Sequence, residues 1–102
     1  MNIFCFGFGQ VAKCFINKIN LNNYNINLSV TSRIKTSKKN FDGIEYQNYL
    51  LKDENYDQAL ISKLEDSDHI LISIPPVEDT DIVIKTFSKF IKKSKAKWIT
   101  YL

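Results

Sequence analysis

Residues 7–12 read Gly7-Phe8-Gly9-Gln10-Val11-Ala12. Two glycines one residue apart, with an alanine three positions on, suit a backbone that must approach a bulky anion. The first glycine makes a tight turn. The second keeps the space beside the main chain clear, and a small third residue lets strand and helix pack closely. The apolar run Ile3–Phe6 stands before this stretch, and Gln10–Ile19 after it carries Val11, Phe15 and Ile19 at helical spacing. A helix beginning near Gln10 would aim unpaired N–H groups and a partial positive charge at a diphosphate. Pattern and setting together point to a dinucleotide-binding turn, with Gly7, Gly9 and Ala12 in the three places. A tight strand-to-helix turn that binds nothing is the plainer reading of the same residues.

Two further stretches bear on that chemistry. At the end of a predicted second strand stands Thr31-Ser32-Arg33, with no acid among them. An acid there would hydrogen-bond the adenine ribose of NAD, whereas an arginine accommodates the 2′-phosphate of NADP. Arg33 is the single arginine in a chain with fourteen Lys and Arg residues. Its planar, always-charged fork suits a phosphate better than a lysine does. Ser32 and Arg33 are therefore assigned to the 2′-phosphate, favouring NADP(H) over NAD(H); a plain surface cation is the alternative for Arg33. The third stretch is Ser73, Ile74, Pro75 and Pro76, at the carboxyl end of the run His69–Ile74. In open α/β sheets ligands lie outside the carboxyl ends of strands, where the strand order reverses. These four residues are expected to line the pyrophosphate and the nicotinamide-side ribose. A stiff strand cap is compatible with that contact.

The elements that would position these residues alternate along the chain. Strands are expected at Ile3–Phe6, Ile26–Thr31, Ile44–Tyr46, His69–Ile74 and Lys97–Leu102. Helices are expected at Gln10–Ile19, Asp57–Leu64 and Thr80–Lys93, the last with Ile82, Val83, Thr86, Phe87, Phe90 and Ile91 in a stripe. Ser32–Gly43 reads as a polar connection, short for a parallel crossover, which usually needs a dozen or more residues. Alternating strands and helices with right-handed crossovers predict an α/β fold. The expected form is a doubly wound parallel sheet (Rossmann-like) of about five strands in the order 3-2-1-4-5.

Composition bounds the rest. The 102 residues suit one domain, and the apolar fraction of 44% and charged fraction of 25% are ordinary for a globular chain. No apolar stretch approaches the ~20 residues of a membrane span. The run Ile3–Phe8 is too short for a secretory signal and has no basic flank, so a cytoplasmic placement is expected. Net charge is +3, and Lys92–Lys97 is the one dense basic cluster. No aromatics interleave with it, which argues against nucleic acid. Cys5 and Cys14 read as buried small hydrophobes, and the one histidine, His69, as structural, so no metal site is expected.

"FCFGFGQVAK", "TSR", "ILISIPP" and "KWITYL", in that order, resemble the amino-terminal part of extended short-chain dehydrogenase/reductases. The likeness is nearest to bacterial NAD(P)-dependent epimerase/dehydratase-like proteins. The resemblance implies an NAD(P)-binding domain over residues 1–102, without the substrate-binding lobe, with Gly7, Phe8, Gly9, Gln10 and Val11 around the pyrophosphate. It also implies a catalytic Tyr-x-x-x-Lys, and here the chain departs from the family. None of Tyr24, Tyr46, Tyr49, Tyr56 and Tyr101 has a lysine four residues on. No catalytic residue is nominated, because acid/base work needs a titratable group within reach of the reacting atom. The expected function is an NADP(H)-binding domain of an oxidoreductase or sugar-nucleotide epimerase/dehydratase-like protein with incomplete catalytic machinery. Alternatives are a stand-alone NADP(H)-sensing or interaction module, and the amino-terminal part of a hydroxyacid-dehydrogenase or ketopantoate-reductase type enzyme. The apolar last strand, with Trp98, Ile99, Tyr101 and Leu102, is expected to present an edge for self-association.

Overall fold

Ile3, Phe4, Cys5 and Phe6 are each 1% exposed or less, so the opening strand is covered on both faces. A continuous apolar run has this fate when strands flank it and helices lie above and below. A computed structural model describes residues 1–21, 26–41, 43–52, 55–73 and 79–101. In chain order it has β1 (Asn2–Phe6), α1 (Gln10–Leu21), β2 (Asn27–Ser32), β3 (Ser37–Phe41), β4 (Ile44–Lys52) and β5 (Asn55–Tyr56). Then follow α2 (Leu60–Glu65), β6 (His69–Ile72), α3 (Asp79–Lys93) and β7 (Trp98–Tyr101).

The sheet has seven strands in the order β3-β4-β2-β1-β6-β7, with β5 paired to β4. β1 lies between β2 and β6, parallel to both. β2 with β4 and β6 with β7 are also parallel. β3 and β5 run antiparallel to β4. The sheet is therefore mixed, and the expected five-stranded, doubly wound parallel sheet of order 3-2-1-4-5 is overturned. The cause lies in residues 33–43. They are too few to hold a crossover helix with its loops. The chain instead lays down β3 at the sheet border and pairs it with β4 as an antiparallel hairpin, Phe41 opposite Ile44. Gly43 takes the positive φ of 82° that the hairpin requires, and the Asn40 side chain accepts its N–H at 3.1 Å. β4 consequently runs over nine residues rather than the brief Ile44–Tyr46.

Each face of the sheet has its own core. On one, Phe4, Phe6, Tyr49, Leu51, Ile70 and Ile72 pack with Leu60 and Leu64 of α2 and Phe87 of α3. The Phe6 ring sits 5.0 Å from Phe4 and 5.2 Å from Phe87. On the other, Ile3, Cys5, Leu28, Val30, Ile44 and Leu71 pack with Ile16 of α1. Burial pushes the Cys5 thiol up to about 12. Cys14, expected to be buried, is exposed on the outer side of α1. Val11, expected on the apolar face of that helix, is 59% exposed.

Candidate functional site

β1 gives way to α1 through Gly7, Phe8 and Gly9, and these three residues are the centre of the site. Gly7 has φ of 82°, a conformation that any side chain would strain. Its N–H donates to the Thr31 hydroxyl at 3.0 Å, so the end of β2 holds the turn in place. Thr31 is itself 1% exposed. Phe8 points away from the open side. Its ring meets Phe41 at 5.5 Å and Tyr46 at 5.1 Å, and the Lys13 ammonium lies 5.6 Å above it.

Gly9 is different. Among the described residues, a Cβ built there would meet one neighbour within 4 Å, the Ser73 hydroxyl oxygen, at 4.0 Å. Its φ is not in the left-handed region. The fold itself therefore does not demand glycine at this position. The Gly9 carbonyl accepts the first helical hydrogen bond, from Lys13 at 3.0 Å. The amides of Gln10, Val11 and Ala12 precede that bond and lie at the open amino end of α1. No acidic side chain occupies the first turn to neutralise the helix dipole.

The structure brings Ser73 to this turn. Its N–H donates to the Phe6 carbonyl at 2.9 Å, which extends the β1–β6 pairing by one residue beyond β6. Ile74, Pro75 and Pro76 lie outside the described residues. Ser32 ends β2, where its hydroxyl accepts the Ile34 N–H at 3.4 Å. That short turn leaves Arg33 exposed just past the strand, on the β2 side of the glycine turn. Gln10 and Val11 are exposed at the start of α1. The described part of the site is thus Gly7, Gly9 and the head of α1, flanked by Ser73 on one side and Ser32 and Arg33 on the other.

Thr31 is the contributor that sequence reasoning did not assign. A hydroxyl at the carboxyl end of a strand parallel to β1, one register step from the turn, is the signal that could have marked it. His69 stands at the opposite end of β6, with its Nε2 2.9 Å from the Thr100 hydroxyl and its ring against Phe15 and Trp98. Burial holds its pKa below the ordinary value. This is a packed histidine remote from the glycine turn. Among the described residues there is no cluster of three metal-ligating side chains, and no helix is long and apolar enough to cross a membrane.

The chain matches no protein-family model, no curated protein and no solved structure. The functional reading therefore rests on the geometry of the turn and on the sequence pattern that led to it.

Proposed function

We propose that this chain binds NADP(H), with the diphosphate received by the main chain around Gly7 and Gly9. The observation that carries the proposal is Gly9: no positive φ requires glycine there, and among the described residues the space its missing side chain leaves meets only the Ser73 hydroxyl, at 4.0 Å. A ligand that must lie against the backbone accounts for a glycine that the fold does not need. The head of α1 would supply amide donors and the positive end of the dipole. Ser73 would donate from the β6 side. Ser32 and Arg33 would take the 2′-phosphate, with charge-assisted hydrogen bonds from the guanidinium. The support comes from a strand, β1, central in the sheet, with parallel neighbours β2 and β6 whose carboxyl ends flank the turn.

In this reading the protein is a cytoplasmic NADP(H)-binding part of an oxidoreductase or epimerase/dehydratase-like protein. No residue is proposed as catalytic. Self-association along β7, where Trp98 and Ile99 are 61% and 45% exposed, belongs to the same proposal and is read by light scattering at high concentration.

Calorimetric titration with NADP⁺ and NAD⁺ tests the cofactor. Wild-type protein is expected to bind NADP⁺ more tightly, and Arg33→Ala to lose that preference by about tenfold, the worth of one charge-assisted contact. An unchanged preference in Arg33→Ala removes the residue from the site. Absence of saturable heat with either dinucleotide ends the cofactor reading.

A further inference from the structure

On the sheet face that α2 and α3 pack against, β2 and β4 border a second cleft. α2 and α3 cover that face over β1 and β6. Over the amino halves of β2 and β4 lies a cleft of about 610 Å³, at the end of the sheet opposite the glycine turn. Its volume is in the range of small-molecule sites.

The lining is chemically specific. Ser29 of β2 is 9% exposed and Tyr49 of β4 is 6% exposed, and both border the cleft. No buried side-chain nitrogen or oxygen among the described residues lacks a hydrogen-bond partner, so the two hydroxyls are not orphaned groups but polar lining of the cleft. Lys38 of β3 and Lys63 of α2 flank the cleft together with Glu45 of β4. None of these three has an ion pair among the described residues. Asp66 also borders the cleft, but its carboxylate is already engaged, by Lys95 at 3.4 Å and by the Asn2 side chain at 3.1 Å. The charge left for a ligand is therefore two ammonium groups against one carboxylate.

We propose that this cleft binds a small organic oxyanion. Lys38, Lys63 and the hydroxyls of Ser29 and Tyr49 hold the oxyanion, and Glu45 accepts a hydrogen bond from a hydroxyl or ammonium group of the same ligand. Two ammoniums and two hydroxyl donors match a carboxylate or a phosphoryl group. The exposure of both lysines makes the binding weaken with ionic strength. This site is independent of the dinucleotide reading, because no residue is shared between them.

The test is an amide-detected NMR titration of the ¹⁵N-labelled chain with L-serine, acetate and inorganic phosphate, at constant ionic strength. Saturable shifts are expected at the amides of Ser29, Gln47 and Lys63. Saturation by L-serine and acetate assigns a carboxylate ligand, and saturation by phosphate alone assigns a phosphoryl group; either supports the site. The double variant Lys38→Ala/Lys63→Ala changes two exposed side chains, so its spectrum should otherwise be retained. It is expected to lose affinity by about tenfold or more. Three outcomes overturn the proposal: no saturable shift with any probe, shifts confined to residues 7–13, or undiminished binding by the double variant.

Discussion

β1 is finished differently at its two ends. At the amino end, side chains tie it down. The Asn2 N–H donates to Asp68 at 2.8 Å, the Asn2 amide donates to the Asp66 carboxylate at 3.1 Å, and Asn27 donates to the Asn2 side chain at 3.0 Å. Lys95 adds ion pairs to Asp66 and Asp68 at 3.4 and 3.6 Å. At the carboxyl end, among the described residues, the Thr31 side chain fixes Gly7, and a Cβ built on Gly9 would meet nothing closer than the Ser73 hydroxyl at 4.0 Å. The first end uses side chains to satisfy the backbone. The second has no comparable network among the described residues. Where buried side-chain polar atoms are otherwise paired, the less tied end is the place to look for a ligand.

The sharpest way to break this contrast is within the turn itself. Gly7→Ala places a side chain at φ of 82° and is expected to cost about 1–3 kcal/mol of stability in urea denaturation. Gly9→Ala meets only ordinary contact and should stay within about 0.5 kcal/mol of wild type. Yet Gly9→Ala should weaken NADP⁺ binding by about tenfold or more, because the methyl group stands where the diphosphate lies. If the two variants destabilise equally, or Gly9→Ala binds normally, the glycines have a purely structural role.

The opposite end gives the converse result. Asn2→Ala removes three side-chain hydrogen bonds that are partly exposed, and about 1 kcal/mol of stability should go with them. Affinity for NADP⁺ should not change. A loss of affinity would mean that the two ends are coupled through β1 and are not separate.

The smallest effects are those of pH, and they separate the groups by sign. The Asn2 N–H, with smaller help from Lys95 and the amino terminus, holds the Asp68 carboxyl below its usual range. Asp57 is likewise lowered, by the Thr36 hydroxyl at 2.7 Å and the Ala59 N–H at 2.9 Å. Their contribution is complete above the ordinary carboxylate value of about 3.9 and is lost as pH falls through the lower folded values. His69 is lowered by burial, so the unfolded chain takes up its proton first, and stability declines as pH falls below about 6.5. Cys5 works in the other direction. The unfolded thiol ionises near 9 while the folded one resists to about 12, so stability falls as pH rises across that window. Thermal melts from pH 3 to 11 should show a plateau near neutrality with these two flanks. His69→Gln should flatten the mildly acidic part.

The turn between β1 and α1 was legible in the sequence; less of the sheet was. Gly7, Gly9 and the start of α1 at Gln10 stand where the spacing places them, because a turn between an apolar run and an amphipathic helix is a local feature. Ser73 is brought to that turn by parallel pairing of two apolar runs, Ile3–Phe6 and His69–Ile72, which periodicity also reveals. β3 was not legible from periodicity. Its residues Ser37, Lys38, Lys39 and Asn40 are polar, and they form a strand because they lie at the sheet border, where charged side chains are tolerated and discourage further pairing. The Asp42-Gly43 pair is the one local sign of that hairpin. Val11 and Cys14 exchange expected burial for exposure because α1 covers the sheet mainly through Ala12 and Ile16, with Phe15 and Ile19 beside them. A helical apolar stripe defines a face but not how far its margin is covered.

The central claim is that bare main chain at Gly7 and Gly9 receives a diphosphate. An amide-detected NMR titration of the ¹⁵N-labelled chain with NADP⁺ reads those positions directly. Saturable shifts are expected at Gly7, Gly9, Gln10, Val11, Ala12 and Ser73, with Arg33 following for NADP⁺ but not for NAD⁺. A spectrum unmoved at the turn by millimolar NADP⁺, or shifts only among Ser29, Gln47 and Lys63 at the far end of the sheet, contradicts the account.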